Sequence, residues 1–395
     1  MKRDYTLDTF LLLLRAGLWG KVDVNFNDSL NLKGKVDWEK LYQLAQEQSV
    51  QGHVLQGIDC FKNCNYNINI PQRLLLQWIG EVQIIEQKNR AMNIFIAELI
   101  MKLRKHDIYT ILVKGQGIGQ CYEKPMWRVS GDVDLFMTVE NYNKAKSFLL
   151  PMATHVEEEG ILEKHLGMTI DGYVVELHGT LYGGLSARVD NELNDVQKET
   201  FYRGNVCSWN NNGVQIFLLG IENNVFYVFT HFLQHFYKEG VGLRQICDWC
   251  RLLYTNKNIL NYELVEKRIR RVGLTTEWKA FHNLASRFLG FPDFGSQDSQ
   301  ARISQQRSNT GLMVYDSRFD KKADRIIEFI IKTGNMGNNR DMSHFSKYPY
   351  LIRKCISMGR RIRDIINHTR IFPLDSLRFF PRIMFNGIVS TLRGE

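Results

Sequence analysis

The stretch RVSGDVDLFM, residues 128–137, places two aspartates one residue apart among apolar neighbours. Side chains alternate faces along a strand, so Asp132, Asp134 and Phe136 share one face while Val133, Leu135 and Met137 share the other. The apolar set anchors the strand, and both carboxylates converge on one side of the sheet. Like charges a few ångströms apart in a low dielectric repel, and an unpaired buried charge is costly, so the strand calls for a cation. A divalent metal suits it. Mg²⁺ prefers oxygen ligands and is typically held by one or two carboxylates together with substrate phosphates.

Working outward, HLGMTI and YVVELH flank Asp171-Gly172, the dipeptide that a two-residue type I′ turn favours because both central positions need positive φ. Pairing Ile170 with Tyr173 and counting outward sets Gly167 opposite Glu176, where a glycine leaves room beside a third carboxylate. His178 shares the Glu176 face. Upstream, IYTILV (108–113) reads as a buried strand and VKGQGIGQ (113–120) as a glycine-rich turn opening a short helix. Such a turn lets backbone amides approach phosphate oxygens, and Lys114 adds a point charge. It matches neither the dinucleotide fingerprint nor the Walker pattern.

The period of the apolar residues sets the plan. Residues 1–106 show helical spacing almost throughout, 107–214 mix strand and helix, and from about 215 VQIFLLGIENNVFYVFTHFLQHFYKEG returns to helical spacing. The expected fold is α+β: a small mixed β-sheet core at 107–214, an N-terminal helical region at 1–106, and a C-terminal helical domain at 215–395 with a basic tail.

Composition sets the outer limits. At 395 residues, 44% hydrophobic and 24% charged, the chain reads as globular, and no segment supplies the roughly 18 uninterrupted apolar residues of a membrane span. The run LDTFLLLLRAGLW is broken by Arg15 and lacks a small-residue cleavage site, so it reads as an amphipathic helix and the cytoplasm is the expected compartment. Seven cysteines, an odd count, argue for reduced thiols. Cys247 and Cys250 form a CxxC within a helical pattern with no second pair to complete a zinc site. Of the net charge of +9, the segment from Lys347 onward carries ten Lys and Arg against three acidic residues. Its interleaved basic and apolar residues suit either an anionic partner or surface, or a solvated helix face packed on the body.

Other polar residues have two readings each. Arg128, just before the DxD strand, either neutralises a bound polyphosphate or pairs structurally with the aspartates. Arg244 and Asp248, four apart on a helix, read as a local ion pair. His231 and His235 have the i, i+4 spacing of zinc ligands but no HExxH glutamate, and read as core histidines.

VKGQG, then RVSGDVDLF, then VVELHG, with THFLQHFY and GLRQICDW downstream, resembles the uncharacterised nucleotidyltransferase family of the DNA polymerase beta nucleotidyltransferase superfamily. The resemblance implies a glycine turn, a DxD strand and a carboxylate on a neighbouring strand that together bind two Mg²⁺, or Mn²⁺ in their place, and a nucleoside triphosphate, with ATP the default. By position, Asp132, Asp134 and Glu176 would be the metal-binding and catalytic carboxylates, with Glu176 a candidate general base. Lys114, Gly115, Gln116, Arg128, Arg244 and Asp248 would line the nucleotide site. Gln116 follows Gly115 where the superfamily usually has a second glycine or a serine. Acceptors in the superfamily are small molecules, RNA ends or protein side chains, and nothing in the sequence selects among them. An inactive nucleotide-binding module of the same fold is the alternative. A DxD glycosyltransferase fits less well, since it needs alternating strands and helices before DxD. A haloacid dehalogenase-type phosphatase wants a small residue where Phe136 stands.

Overall fold

The computed structural model describes residues 4–22, 36–66, 68–160, 164–238, 240–292, 315–335 and 350–393. Four helices come first: α1 (Tyr5–Trp19), α2 (Trp38–Glu47), α3 (Gln51–Asn63) and α4 (Gln72–Arg104). Helix α1 starts where the Asp4 side chain accepts from the amides of Thr6 and Leu7, and it stops at Gly20 in the left-handed conformation. Helices α1 and α3 approach closely at glycines. A Cβ added to Gly57 would stand 1.8 Å from the Leu13 carbonyl oxygen, and one added to Gly17 equally close to that of His53.

A sheet follows, with helices in its connections: β1 (Ile111–Val113), α5 (Gly115–Gly119), β2 (Val133–Phe136), α6 (Val139–Leu149), β3 (His155–Val156), β4 (His165–Ile170), β5 (Tyr173–His178), α7 (Ala187–Arg203), β6 (Val206–Asn211) and β7 (Val214–Leu219). The seven strands lie in the order β3-β4-β5-β2-β1-β7-β6. Strand β2 runs antiparallel to β1 and parallel to β5, which makes the sheet mixed. Helices then dominate: α8 (Ile221–Lys238), α9 (Leu243–Thr255), α10 (Tyr262–Val272), α11 (Thr275–Phe288), α12 (Asp320–Thr333), α13 (Tyr350–Ile371) and α14 (Pro373–Arg393). The class is α+β, as the periodicity predicts.

One expectation fails. The run beginning at 215 does not open a helix, because VQIFLL pairs along its length with β6 and parallel to β1 before α8 starts at Ile221. Short apolar runs carry no decisive period. The turn did carry a signal: Asn212 and Gly213 have φ of 50° and 81°, the same device as Asp171 and Gly172 at 50° and 82° in the β4–β5 hairpin.

The two faces of the sheet bury different things. Val133, Leu135 and Met137 pack with Leu166, Met168, Val175 and Leu177 beneath the C-terminal half of α4 and beneath α6. Phe136, Ile111 and Val113 belong to the second core, which also takes in α7, α8, α9 and the N-terminal helices. That shared core is stitched by side chains: Trp19 donates to the Leu289 carbonyl at 2.6 Å, and Arg251 to that of Leu18 at 2.7 Å. Asp134, on the Phe136 face, therefore looks toward α8 and α9.

The start of the basic tail, Lys347 to Pro349, lies outside the described residues. From Tyr350 the tail is helical, and two of its arginines bond the body, Arg378 to the Val272 carbonyl at 2.8 Å and Arg382 to Asp190 at 2.6 Å. Among the described residues no helix is long and apolar enough to cross a membrane.

Candidate active site

Register brings the carboxylates together. Along the parallel β2–β5 pair Asp134 stands beside Glu176, and Asp132 lies just before β2 begins. One ligand atom from each of Asp132, Asp134 and Glu176 can be chosen so that all three lie within 4.8 Å of one another. Gly167 stands opposite Glu176, as counted from the turn. The space over that glycine is taken by another acid, for a Cβ there would lie 2.3 Å from a carboxylate oxygen of Glu157.

Asp134 is almost completely buried and carries the tightest contacts. Its Oδ1 receives Lys114 Nζ at 2.6 Å and His178 Nε2 at 2.9 Å, while its Oδ2 is buried without a hydrogen-bond partner. Burial pushes this carboxyl up, and the Lys114 ammonium opposes that push without cancelling it. On the lysine, burial works against the charge, but Asp134, with Asp132 and Glu176 beyond, holds the ammonium above the ordinary lysine range. Lys114 has φ of 56° and ψ of −147°, a sparsely populated conformation for a residue with a side chain. The strand-to-helix corner at Gly115 thus bends at the point where the ammonium must reach back to β2.

Histidines surround Glu176. His165 Nε2 lies 3.2 Å and His178 Nε2 3.4 Å from its Oε2. Burial of Glu176 would raise its pKa, but these two hydrogen bonds hold its carboxyl well below the usual carboxylate range. His178 is pulled toward the protonated form by Asp134 and Glu176 against its own burial. His231 Nε2 is 3.4 Å from Lys114 Nζ and 3.1 Å from His235 Nε2, and burial together with the lysine charge pushes His231 well down. These two histidines, read from sequence as core residues, instead line the cavity.

The cavity holds about 540 Å³ and is bounded by the sheet, by α8 (Tyr227, His231) and by α9 (Arg244, Asp248). Gly115, Arg128 and Lys114 reach it, whereas Gln116 does not. Its buried carboxamide donates to Asn89 Oδ1 on α4 at 2.8 Å, so the residue that departs from the superfamily turn braces α5 from behind. The local Arg244–Asp248 pair is also replaced. Asp248 takes a bidentate contact from Arg128, 2.7 Å on each arm, and a 2.7 Å bond from the Tyr122 hydroxyl. Arg128 presents two parallel N–H groups to the two carboxylate oxygens, a charge-assisted fork, while the guanidinium of Arg244 is directed to a backbone carbonyl instead. Among the described residues Arg244 is left with a bond to the Val129 carbonyl at 2.9 Å and its buried Nε has no partner, and burial with Arg128 nearby pushes its pKa down.

His165 escaped the sequence reading. Counting the hairpin two pairs past Gly167–Glu176 sets His165 opposite His178, so the register already contained it.

The profile of a family described as "Uncharacterised nucleotidyltransferase" matches residues 34–290, which include every strand of the sheet and helices α2 to α11. No curated protein and no solved structure matches the chain.

Proposed function

The chain belongs to the uncharacterised nucleotidyltransferase family, and from that premise we propose that it transfers a nucleoside monophosphate from a nucleoside triphosphate to an acceptor hydroxyl. An acceptor oxygen attacks the α-phosphorus, the bond to the bridging oxygen breaks, and pyrophosphate leaves as the acceptor gives up its proton. Family membership supports nucleotidyl transfer as the class of activity. The observation that carries the finer reading is the convergence of three carboxylates, one of them more than forty residues from the others, on a point where Asp134 Oδ2 is buried without a partner. A buried orphan carboxylate oxygen in an all-oxygen donor set fits a hard divalent cation.

Asp132, Asp134 and Glu176 would hold Mg²⁺, with Mn²⁺ as a substitute. When bound, the metal supplies charge neutralisation on the triphosphate and acidifies an acceptor hydroxyl. The chain's own residues do the rest. Glu176 serves as a ligand and is the candidate general base that takes the acceptor's proton. Arg244, half-buried at the cavity wall with guanidinium N–H capacity left over, offers the triphosphate a charge-assisted bond, and Lys114 adds an ammonium at the same wall. Arg128 acts indirectly, as the partner of Asp248. ATP is the default donor, and the acceptor is a small molecule, an RNA end or a protein side chain.

A second reading has one observation in its favour. Lys114 already places a cation on Asp134 Oδ1, and a fixed ammonium there would let the fold bind nucleotide without turnover. Titrating the purified chain with each nucleoside triphosphate, with and without Mg²⁺, and following pyrophosphate release separates the two. Transfer predicts Mg²⁺-dependent binding that Asp132→Asn abolishes together with pyrophosphate release. Metal-independent binding, unchanged in that variant and without release, overturns it.

A further inference from the structure

We propose that the β4–β5 hairpin carries a second metal position, of different chemistry, in which His165, His178 and Glu176 bind a borderline transition ion of the Zn²⁺ class. The inference rests on the reading of Glu176 as a metal ligand and adds a site that the all-carboxylate set does not contain. A ligand atom from each of His165, Glu176 and His178 can be chosen so that the three lie within 4.8 Å of one another. Register explains why. His165 and His178 are directly opposed across the antiparallel pair, and Glu176 precedes His178 by two residues on the same face.

The spacing fits one ion. Two donors each about 2.0–2.1 Å from a tetrahedral centre lie roughly 3.3 Å apart. Here the two imidazole nitrogens stand 3.2 and 3.4 Å from the same carboxylate oxygen, Glu176 Oε2. Both rings present Nε2, so each contact without a metal needs a proton on that nitrogen. One divalent ion replaces both protons and satisfies the Glu176 carboxylate at once, taking the place at His178 Nε2 of its 2.9 Å contact with Asp134 Oδ1. Two nitrogens and one oxygen are the donor set of an open zinc site, with three protein ligands and a fourth position left for water or substrate. Magnesium prefers oxygen, so imidazole ligands select against it and for Zn²⁺, with Mn²⁺ bound more weakly. The site is accessible. His165 is about a third exposed, and all three residues line the cavity. Tyr142 and Lys146 hold Glu159, another residue of the cavity wall. The two positions share Glu176, so an ion at the histidines would sit beside the triphosphate metal and within reach of an incoming acceptor.

The test uses the full chain, free of any polyhistidine tag and stripped with chelator, titrated with Zn²⁺ alone by calorimetry and with Co²⁺ alone by visible absorption. The parent should bind one Zn²⁺ and give the intense visible bands of tetrahedral Co²⁺ with nitrogen ligands. His165→Ala should weaken Zn²⁺ at least tenfold and remove those bands, and His165→Gln repeats the test with a side chain of similar size should the alanine variant fold poorly. Asp132→Asn should keep Zn²⁺ affinity within a few-fold while losing Mg²⁺-dependent nucleotide binding. Unchanged Zn²⁺ affinity and Co²⁺ bands in both His165 variants overturn the inference, and so does Zn²⁺ binding that depends on Asp132 and not on His165. Either result leaves the nucleotidyl-transfer reading standing. That reading falls separately, if Asp132→Asn still binds nucleotide in a Mg²⁺-dependent manner.

Discussion

Two buried ionic clusters stand side by side in this molecule, and they are built to opposite rules. Around Asp248 the carboxylate itself is matched: Arg128 meets it with both arms, Tyr122 donates to it, and Arg128 also donates to Ser130 Oγ at 3.0 Å. Burial alone would raise the Asp248 carboxyl, and the Arg128 charge instead holds it below the ordinary range. Around Asp134 the account stays open. One oxygen has no partner, the lysine that meets the other is held in a rare backbone conformation, and the carboxyl is pushed up despite it. Both clusters came from residues that the sequence marks as charged in apolar surroundings. The difference separates a matched buried charge, which cements helices to the sheet, from an unmatched one, which on the proposed function is kept for a ligand.

The sharpest break of this contrast would come from Asp134→Asn. Pyrophosphate release should fall on the order of 10⁴-fold, about 5 kcal/mol in the barrier, with the melting temperature shifting by only a few degrees. A variant that unfolds yet retains its rate per folded molecule would reverse the roles of the two clusters. Asp248→Asn is the mirror experiment. It leaves Arg128 buried and uncompensated, so chemical denaturation should report a loss of about 3–5 kcal/mol, with Mg²⁺-dependent nucleotide binding retained in the folded fraction.

Glu277 on α11 extends the rule to a third solution. This fully buried carboxyl accepts from the Tyr237 hydroxyl at 3.2 Å, and burial, with Asp375 nearby, pushes its pKa from 4.5 to about 8. A proton takes the role that Arg128 plays at Asp248. The folded chain keeps that proton up to about pH 8 while the unfolded chain releases it near 4.5, so the Glu277 contribution to stability is fully present below the lower value and is lost as pH rises between the two. Asp375, also raised, adds in the same direction. Melting curves should show the decline, a few kcal/mol in all, and Glu277→Gln should flatten it. A parent curve that is flat from pH 5 to 8 would remove Glu277 from the scheme. The smallest effect is expected from Arg244→Met, a rise of about tenfold in the nucleotide dissociation constant, or about 1.4 kcal/mol, with little change in stability. A larger change in melting than in affinity would place Arg244 with Asp248 as a structural group.

The sequence itself determined the sheet's chemistry. Alternation in GDVDLF assigned each side chain to its face, and the Asp171-Gly172 turn fixed the register that sets Glu176 opposite Gly167, because a period of two and a two-residue loop leave no freedom, whereas the parallel β2–β5 pairing that brings Glu176 beside Asp134 came only with the fold. The same count, carried two pairs further, reaches His165. The Asn212-Gly213 hairpin was equally legible, yet the apolar run after it reads as helix until β1 is there to pair with it. Only the tertiary structure decided the charge partners. Local spacing offers Arg244 to Asp248, but the fold brings Arg128, 120 residues away, into a geometry that a helical neighbour does not match. It likewise turns Gln116 to Asn89 and carries His231 to Lys114 across 117 residues. Strand pairing follows from rules read over a few residues. The choice of a partner for a buried charge depends on which distant side chains converge once the helices close over the sheet.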